Sequence, residues 1–198
     1  MAKRSSTVEV LRSWIYDTVR FQKGRNHSSV RFFEVPLGGK LSDGTVKTYA
    51  HTNMERSAMF PEHESFKIRA VLAVLDRGHG FSEKDSSVFM QAHCGLFINQ
   101  KVYPDYFPAR FLIDTDKTMP AKPGEILKGR ERPVSIKDIV AAVENERKAI
   151  VFDDPFSIAI DPLENFWLEM VFDRHGYTPS HDLDLMIIFL GDVRREVL

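Results

Sequence analysis

Cysteine is nearly absent from the sequence, which has Cys94 alone among 198 residues. One thiol cannot form an intramolecular disulfide, so the chain is not a disulfide scaffold, and it suits a reducing compartment. His93 precedes Cys94, but neighbours on a strand point to opposite faces, which excludes a nucleophile paired with its base. We expect Cys94 to be a buried, unreactive thiol.

Long apolar segments are missing as well. The longest strong apolar run, Leu185 to Leu190, is far shorter than the roughly 20 residues that a helix needs to span a bilayer. The N-terminus also lacks the apolar region of a secretory signal. We therefore expect neither secretion through such a signal nor a membrane-spanning segment.

The chain carries no excess of one charge, since its formal net charge is -1. This balance gives no overall reason to expect nucleic acid as the main partner. Up to Arg31, however, basic residues exceed acidic ones: Lys3, Arg4, Arg12, Arg20, Lys23, Arg25 and Arg31 stand against Glu9 and Asp17. This end is either a solvated basic face or a contact for nucleic acid, lipid headgroups or a neighbouring subunit.

Metal-binding spacing is absent among the histidines, which are His27, His51, His63, His79, His93, His175 and His181. A metalloenzyme of the cupin type would present a close histidine pair followed by a glutamate and a later histidine. We expect ordinary surface or hydrogen-bonded histidines, and therefore no metal and no cofactor.

Catalytic patterns are missing too. The paired carboxylates, Asp114 with Asp116, Asp153 with Asp154, and Asp182 with Asp184, have plainer interpretations as turns or as the solvent face of a strand. The glycine pairs near Lys40 and His79 lack the remaining residues of phosphate-binding loops. The sequence predicts that the protein is not an enzyme.

What the chain does contain is a series of short strand patterns bounded by turn residues. A turn at Ser42-Asp43-Gly44 predicts a hairpin around Asp43. The predicted strands are Val30–Val35, Phe66–Leu75, Ser87–Ala92, Gly95–Ile98, Phe111–Ile113, Ile150–Phe152, Phe156–Ile160, Asn165–Asp173 and Asp182–Leu190.

Two segments have helical periodicity instead. Val8, Leu11, Ile15 and Val19 predict an amphipathic helix over Thr7–Arg20, and a capped apolar stripe predicts an inserted helix over Ser135–Arg147. Short strands at uneven spacing favour a sandwich or barrel. The predicted fold is mainly β: a jelly-roll β-sandwich with an N-terminal helix and one inserted helix, divided into an arm (1–28) and a single domain (29–198).

Aromatic residues within strands are expected in the core. Tyr103, Tyr106 and Phe107 lie between prolines, and the pattern there predicts a loop that could anchor a contact. Together with Arg4, Arg12 and Trp14 of the N-terminal arm, these residues are the predicted interface.

A family resemblance adds to this prediction. It rests on Arg31–Gly38, on Thr52–Glu55 before Pro61, on Phe66–Ile68, on Glu164–Phe166 and on the closing Leu190–Val197. In the order of these short segments the chain resembles the jelly-roll capsid proteins of tailless, lipid-containing bacterial viruses. Many major subunits of that kind contain two jelly rolls, whereas this length suffices for one.

The resemblance implies a self-assembling coat subunit of a virion that is made and folded in the host cytoplasm. Its partners would be copies of itself, as a trimer or pentamer within a shell, and other capsid proteins. The basic N-terminal segment would contact lipid headgroups or genome. Two alternatives remain open: a cupin-like metalloenzyme, and a monomeric β-sandwich that binds a carbohydrate or another ligand.

Overall fold

A computed structural model describes residues 7–41, 43–76, 83–109, 112, 150–152 and 157–197. The secondary structure elements of these residues are β1 (Thr7–Phe21), β2 (Ser29–Phe32), β3 (Glu64–Asp76), α1 (Glu83–Gln91), β4 (His93–Ile98), β5 (Lys101–Pro108), β6 (Ile150–Val151), β7 (Ile158–Ile160), β8 (Phe166–Val171) and β9 (Leu183–Val197).

The strands form two sheets. The first sheet has the order β1-β9-β3-β6, with β7 also pairing with β3, and the second sheet has the order β2-β8-β4-β5. All of these pairings are antiparallel. The prediction of a mainly β protein is confirmed, with two antiparallel sheets consistent with a β-sandwich.

The core lies between the two sheets, because alternate residues of their strands are buried. In β9 the inward residues run from Leu183 to Phe189, and in β8 from Phe166 to Met170. The ring of Phe33 joins the layers, with its centroid 5.5 Å from that of Phe166 and 4.6 Å from that of Phe189. Aromatic side chains thus fill much of the interior, as the sequence predicts.

One end of the core is covered by α1. The ring of Phe89, on this helix, packs edge-on against Phe21, Phe172 and Tyr177. The hydroxyl of Tyr177 donates a hydrogen bond of 2.9 Å to Oδ1 of the buried Asp85. Both aromatic and polar contacts therefore fix the helix to the strands.

The prediction of a helix over Thr7–Arg20 is wrong, because this segment is β1. Its helical spacing is outweighed by pairing with β9 over the whole strand, from Thr7 opposite Val197 to Phe21 opposite Leu183. The segment is rich in β-branched residues, which suit a strand. The division of the chain at residue 28 remains a prediction.

Two local predictions are also wrong. Ser87–Ala92 was expected to be a strand, but most of it lies in α1, where Asp85 and Phe89 are buried one helical turn apart. The segment of Tyr103, Tyr106 and Phe107 was expected to be a loop, but it forms β5 and pairs with β4. In each case a tertiary contact overrides a weak local pattern.

The remaining strand predictions agree with β2, β3, β4 and β6 to β9, with shifted ends. The hairpin around Asp43 is confirmed by the bridge between Lys40 and Val46, and Oδ1 of Asp43 accepts a hydrogen bond from the Thr45 amide. Arg4, Phe111, Ile113 and the predicted helix Ser135–Arg147 lie outside the described residues.

Candidate interface surfaces

The predicted interface residues that the structure describes lie on two strands at the margins of the sheets. Arg12 and Trp14 belong to β1, at one margin of the first sheet, and Tyr103, Tyr106 and Phe107 belong to β5, at one margin of the second. The structure therefore separates the two groups by strand and by sheet.

The first half of β1 is an exposed part of the first sheet. Residues 7–12 are all exposed, although each is paired with β9. Val10 is 62% exposed, Leu11 48% and Val197, at the end of β9, 46%. Because several exposed apolar side chains lie close together on these paired strands, this part of the sheet is a candidate contact surface.

The second half of β1 is covered along its margin by the segment around Thr52 and Asn53. The Asn53 side chain donates to the carbonyl of Trp14 at 2.9 Å and accepts from the amide of Tyr16 at 2.9 Å. The hydroxyl of Thr52 donates to the carbonyl of Tyr16 at 3.0 Å. These bonds replace a neighbouring strand and satisfy the outward backbone groups of β1 at this point.

A buried ion pair holds this covering segment in place. Nζ of Lys47 lies 2.5 Å from Oδ1 of Asp17 on β1, and neither side chain is more than 1% exposed. Oδ2 of Asp17 accepts a hydrogen bond of 2.7 Å from the amide of Phe33. Burial raises the pKa of Asp17, and this effect outweighs the opposing influence of Lys47 and the hydrogen bonds.

The three predicted residues of β5 do not all face the same side of the sheet. Tyr103 and Phe107 pack against the core, whereas Tyr106 is 50% exposed on the outer face of the second sheet. Tyr106 lies over Gly95, where a Cβ atom would approach the tyrosine ring to 3.0 Å. Of the predicted group, Tyr106 presents the most side chain to solvent.

Sequence analysis missed a row of side chains across the outer face of the second sheet. Trp167 and Phe97 stack at 5.1 Å with their planes 7° apart, and Tyr106 meets Phe97 edge-on at 6.0 Å. The guanidinium of Arg31 lies 5.4 Å from the centre of the Trp167 ring. The row is therefore a cross-strand aromatic ladder with a cation–π contact at one end.

The outer face of the first sheet is also apolar. Ala70, Leu72 and Ile188 are buried but are not members of the core cluster, because they alternate with the inward residues of their strands. The register aligns Tyr16, Ile188 and Leu72 across three neighbouring strands. Trp14 lies beside this row, opposite Leu190, so this predicted interface residue borders apolar side chains that are themselves buried.

The polar residues considered for chemistry do not converge in the described structure. Cys94 is fully buried, and burial raises the pKa of its thiol far above the ordinary range, as expected for an inert group. Asp184 pairs with Arg20 at 2.8 Å, and Asp182 accepts from the amide of Lys23. Among the residues that the structure describes, no three potential metal ligands come together. Nor does any helix in this part of the chain have the length and hydropathy to cross a bilayer.

Comparisons with protein-family models, with curated proteins and with solved structures find no match to this chain.

Proposed function

We propose that the two sheets form a jelly roll. The chain passes repeatedly from one sheet to the other: β1, β3, β6, β7 and β9 belong to the first, and β2, β4, β5 and β8 to the second. The last strand lies between β1 and β3, and β8 lies between β2 and β4. The two four-strand paths β1-β9-β3-β6 and β2-β8-β4-β5, with β7 added beside β3, support a jelly roll, an architecture used by viral coat subunits.

We infer that the protein is a structural virion protein and a self-assembling coat subunit. The observation that carries this proposal is the interleaved strand order. The exposed Val8, Val10 and Leu11 of β1 add support, since a coat subunit needs surfaces that bind copies of itself. The family resemblance in the sequence leads to the same function by a separate route.

The partners that follow from this proposal are copies of the chain, arranged as a trimer or pentamer within a shell, and other capsid proteins. The basic N-terminal segment would contact lipid headgroups or genome, and the place of action would be the virion after folding in the host cytoplasm. In the described part of that segment, Arg12 has 72% of its side chain exposed and lies 4.0 Å from Asp192. Such a group is accessible to an anionic partner.

The mass of the purified protein in solution tests the proposal. Light scattering over a series of protein and salt concentrations would detect trimers, pentamers or shells, and negative-stain imaging would show the form of any large species. We expect mass to rise with protein concentration. A strict monomer under all conditions would contradict a coat function, and screening against a glycan array would then test the ligand-binding alternative.

A further inference from the structure

The sheet margins of the described chain differ in how well they are protected from pairing with another strand. β2 has 4 residues, β6 has 2 and β7 has 3, so these offer short edges. β5 is longer but contains Pro104 and Pro108 and has an irregular register with β4. Short strands, prolines and irregularities are the usual devices against edge pairing.

β1 lacks those devices over its first half. It has 15 residues without proline, and its register with β9 has no shift. Its second half is covered by the Thr52–Asn53 segment, whose bonds reach Trp14 and Tyr16. The stretch 7–13 is therefore left as a regular edge among the described residues.

The direction of the backbone groups in this stretch follows from the same bonds. Trp14 and Tyr16 turn their carbonyl or amide groups away from β9, toward Asn53. Because these directions alternate along a strand, the groups of Val8, Val10 and Arg12 also point away from β9. Within the described structure no residue bonds these groups, and a solvated row of this kind is a template for strand addition.

We propose that residues 7–13 of β1 pair antiparallel with the same residues of a second copy. The two copies would be related by a two-fold axis perpendicular to the sheet, midway between their two Val10 residues. The inference rests on the proposed coat function and names the contact that the subunits use. In this register Val10 lies opposite Val10, Glu9 opposite Leu11, and Thr7 opposite Ser13 of the other copy. The first sheets of two subunits would then be continuous.

Charge repulsion and the part of the edge that Asn53 already occupies favour this register over the two registers shifted by one residue. An axis through Glu9 would oppose two carboxylates, which destabilises a strand pair. An axis through Leu11 would bring the second copy opposite Trp14, where Asn53 already takes the outward carbonyl. The axis at Val10 avoids both and matches the length of the free stretch.

The pair is expected to be weak when it forms alone. A stable interface buries about 800 Å² on each partner, more than one short strand pair covers. The exposed Val8 and Val10 side chains, 39% and 62% exposed, would supply its apolar part. Association should therefore depend strongly on concentration, as is suitable for a subunit that gains further contacts within a shell.

Cysteine cross-linking tests the register. Glu9 and Leu11 face each other across the axis at a non-hydrogen-bonded position, where Cα atoms of paired strands lie about 4.5 Å apart, within the range of a disulfide. We expect the double variant Glu9→Cys with Leu11→Cys to give a covalent dimer on a non-reducing gel under mild oxidation. The single variants E9C and L11C are controls, since neither residue meets its own copy in this register. Efficient cross-linking of L11C alone, or none of the double variant, would overturn the register.

Substitution at Val10 tests the contact itself. Val10→Pro removes only an outward amide and leaves the bonds to β9, while Val10→Lys places two ammonium groups together at the axis. We expect either change to raise the dissociation constant at least about tenfold. Val151→Lys on β6 is the matched control, since Val151 is 61% exposed and Val10 is 62%.

The outcomes of these experiments distinguish a failure of the proposed β1 contact from a failure of the proposed coat function. If the wild-type protein assembles and V10K assembles equally well without any cross-link in the double variant, the β1 contact is wrong and the coat function stands. If the wild-type protein stays monomeric and the double variant gives no cross-link, both are wrong. Circular dichroism and thermal unfolding of each variant would show that the fold is retained.

Discussion

At the scale of single residues, the buried ion pair of Asp17 and Lys47 is an important constraint on β1. It joins that strand to the segment that covers its margin, and it also fixes the amide of Phe33, a non-glycine residue with φ of 71°. A backbone conformation of this kind persists only when its surroundings hold it. The sequence identifies neither partner, since Lys47 and Asp17 are far apart in the chain and each looks like an ordinary surface residue.

Lys47→Met should destabilise the fold, because it leaves the carboxylate of Asp17 buried without its cation. Removal of one partner from a buried pair costs about 3–5 kcal/mol in the free energy of unfolding. Urea unfolding at neutral pH measures this difference. The double variant Lys47→Met with Asp17→Asn is the control and should recover part of the loss; a loss below that of an average surface substitution would contradict the role of the pair.

The pH dependence of the Lys47→Met variant should reveal Asp17. Burial raises the pKa of this carboxyl, and the loss of Lys47 removes the main opposing influence. A raised pKa means that the folded state binds the proton more tightly than the unfolded state, whose aspartate pKa is about 3.9. The stability gained from protonation is therefore complete below that value and is lost as the pH rises through the folded pKa. Unfolding experiments from pH 4 to 8 should show a fall relative to the double variant, and parallel curves would contradict it.

At the scale of elements, the β9 strand depends on a close approach at Gly191. This residue lies opposite an irregularity in β3 between Ile68 and Ala70, and a Cβ atom there would come within 2.0 Å of the Lys67 carbonyl oxygen. A glycine is required where one backbone approaches another so closely. The bulge also directs Arg69 to Asp192, at 2.5 Å.

Gly191→Ala should therefore lower the free energy of unfolding by about 1–3 kcal/mol, because the added methyl forces β9 and β3 apart. Hydrogen exchange should become faster in β1 and β3, the two neighbours of β9. Gly24→Ala serves for comparison: its site has φ of 74° but nothing within 4 Å of the added atom, so only the local backbone is strained. Equal exchange patterns in the two variants would show that the close approach is unimportant.

The same elements show why sequence reasoning succeeded in part. β3 begins with alternating apolar and polar residues, and β8 and β9 contain apolar runs beside turn residues, so all three are predictable as strands. β1 was misassigned because its apolar residues fall at spacings compatible with a helix, and only its distant partner decides the outcome: Thr7 pairs with Val197. The outer-face aromatic row was hidden for a related reason. Trp167 alternates with buried Phe166 and Leu168, a signal that it faces outward, but its neighbours Phe97 and Arg31 come from other strands.

At the scale of the whole molecule, the proposed jelly roll is compatible with more than one function, since jelly rolls include both coat proteins and cupins. The contents of the interior distinguish the two. A cupin-like metal site needs ligands that point between the sheets, but the inward positions of the described strands β4 and β8 carry Cys94, Leu96, Ile98, Phe166, Leu168 and Met170. His93 is exposed beside the inward Cys94. The inward faces of these two strands are thus apolar and packed in the core.

Metal analysis of the purified protein should accordingly find no stoichiometric transition metal, and chelator should leave the melting temperature unchanged. The measurement is sensitive, because a metal present at 100 times its dissociation constant stabilises a fold by about 2.7 kcal/mol, which removal would reveal. The same experiment tests the cupin alternative and also bears on the proposed coat function. A metal-free protein that assembles through its strands derives its stability from packing and from its partners, whereas a bound metal whose removal melts the protein would favour the metalloenzyme over the coat subunit.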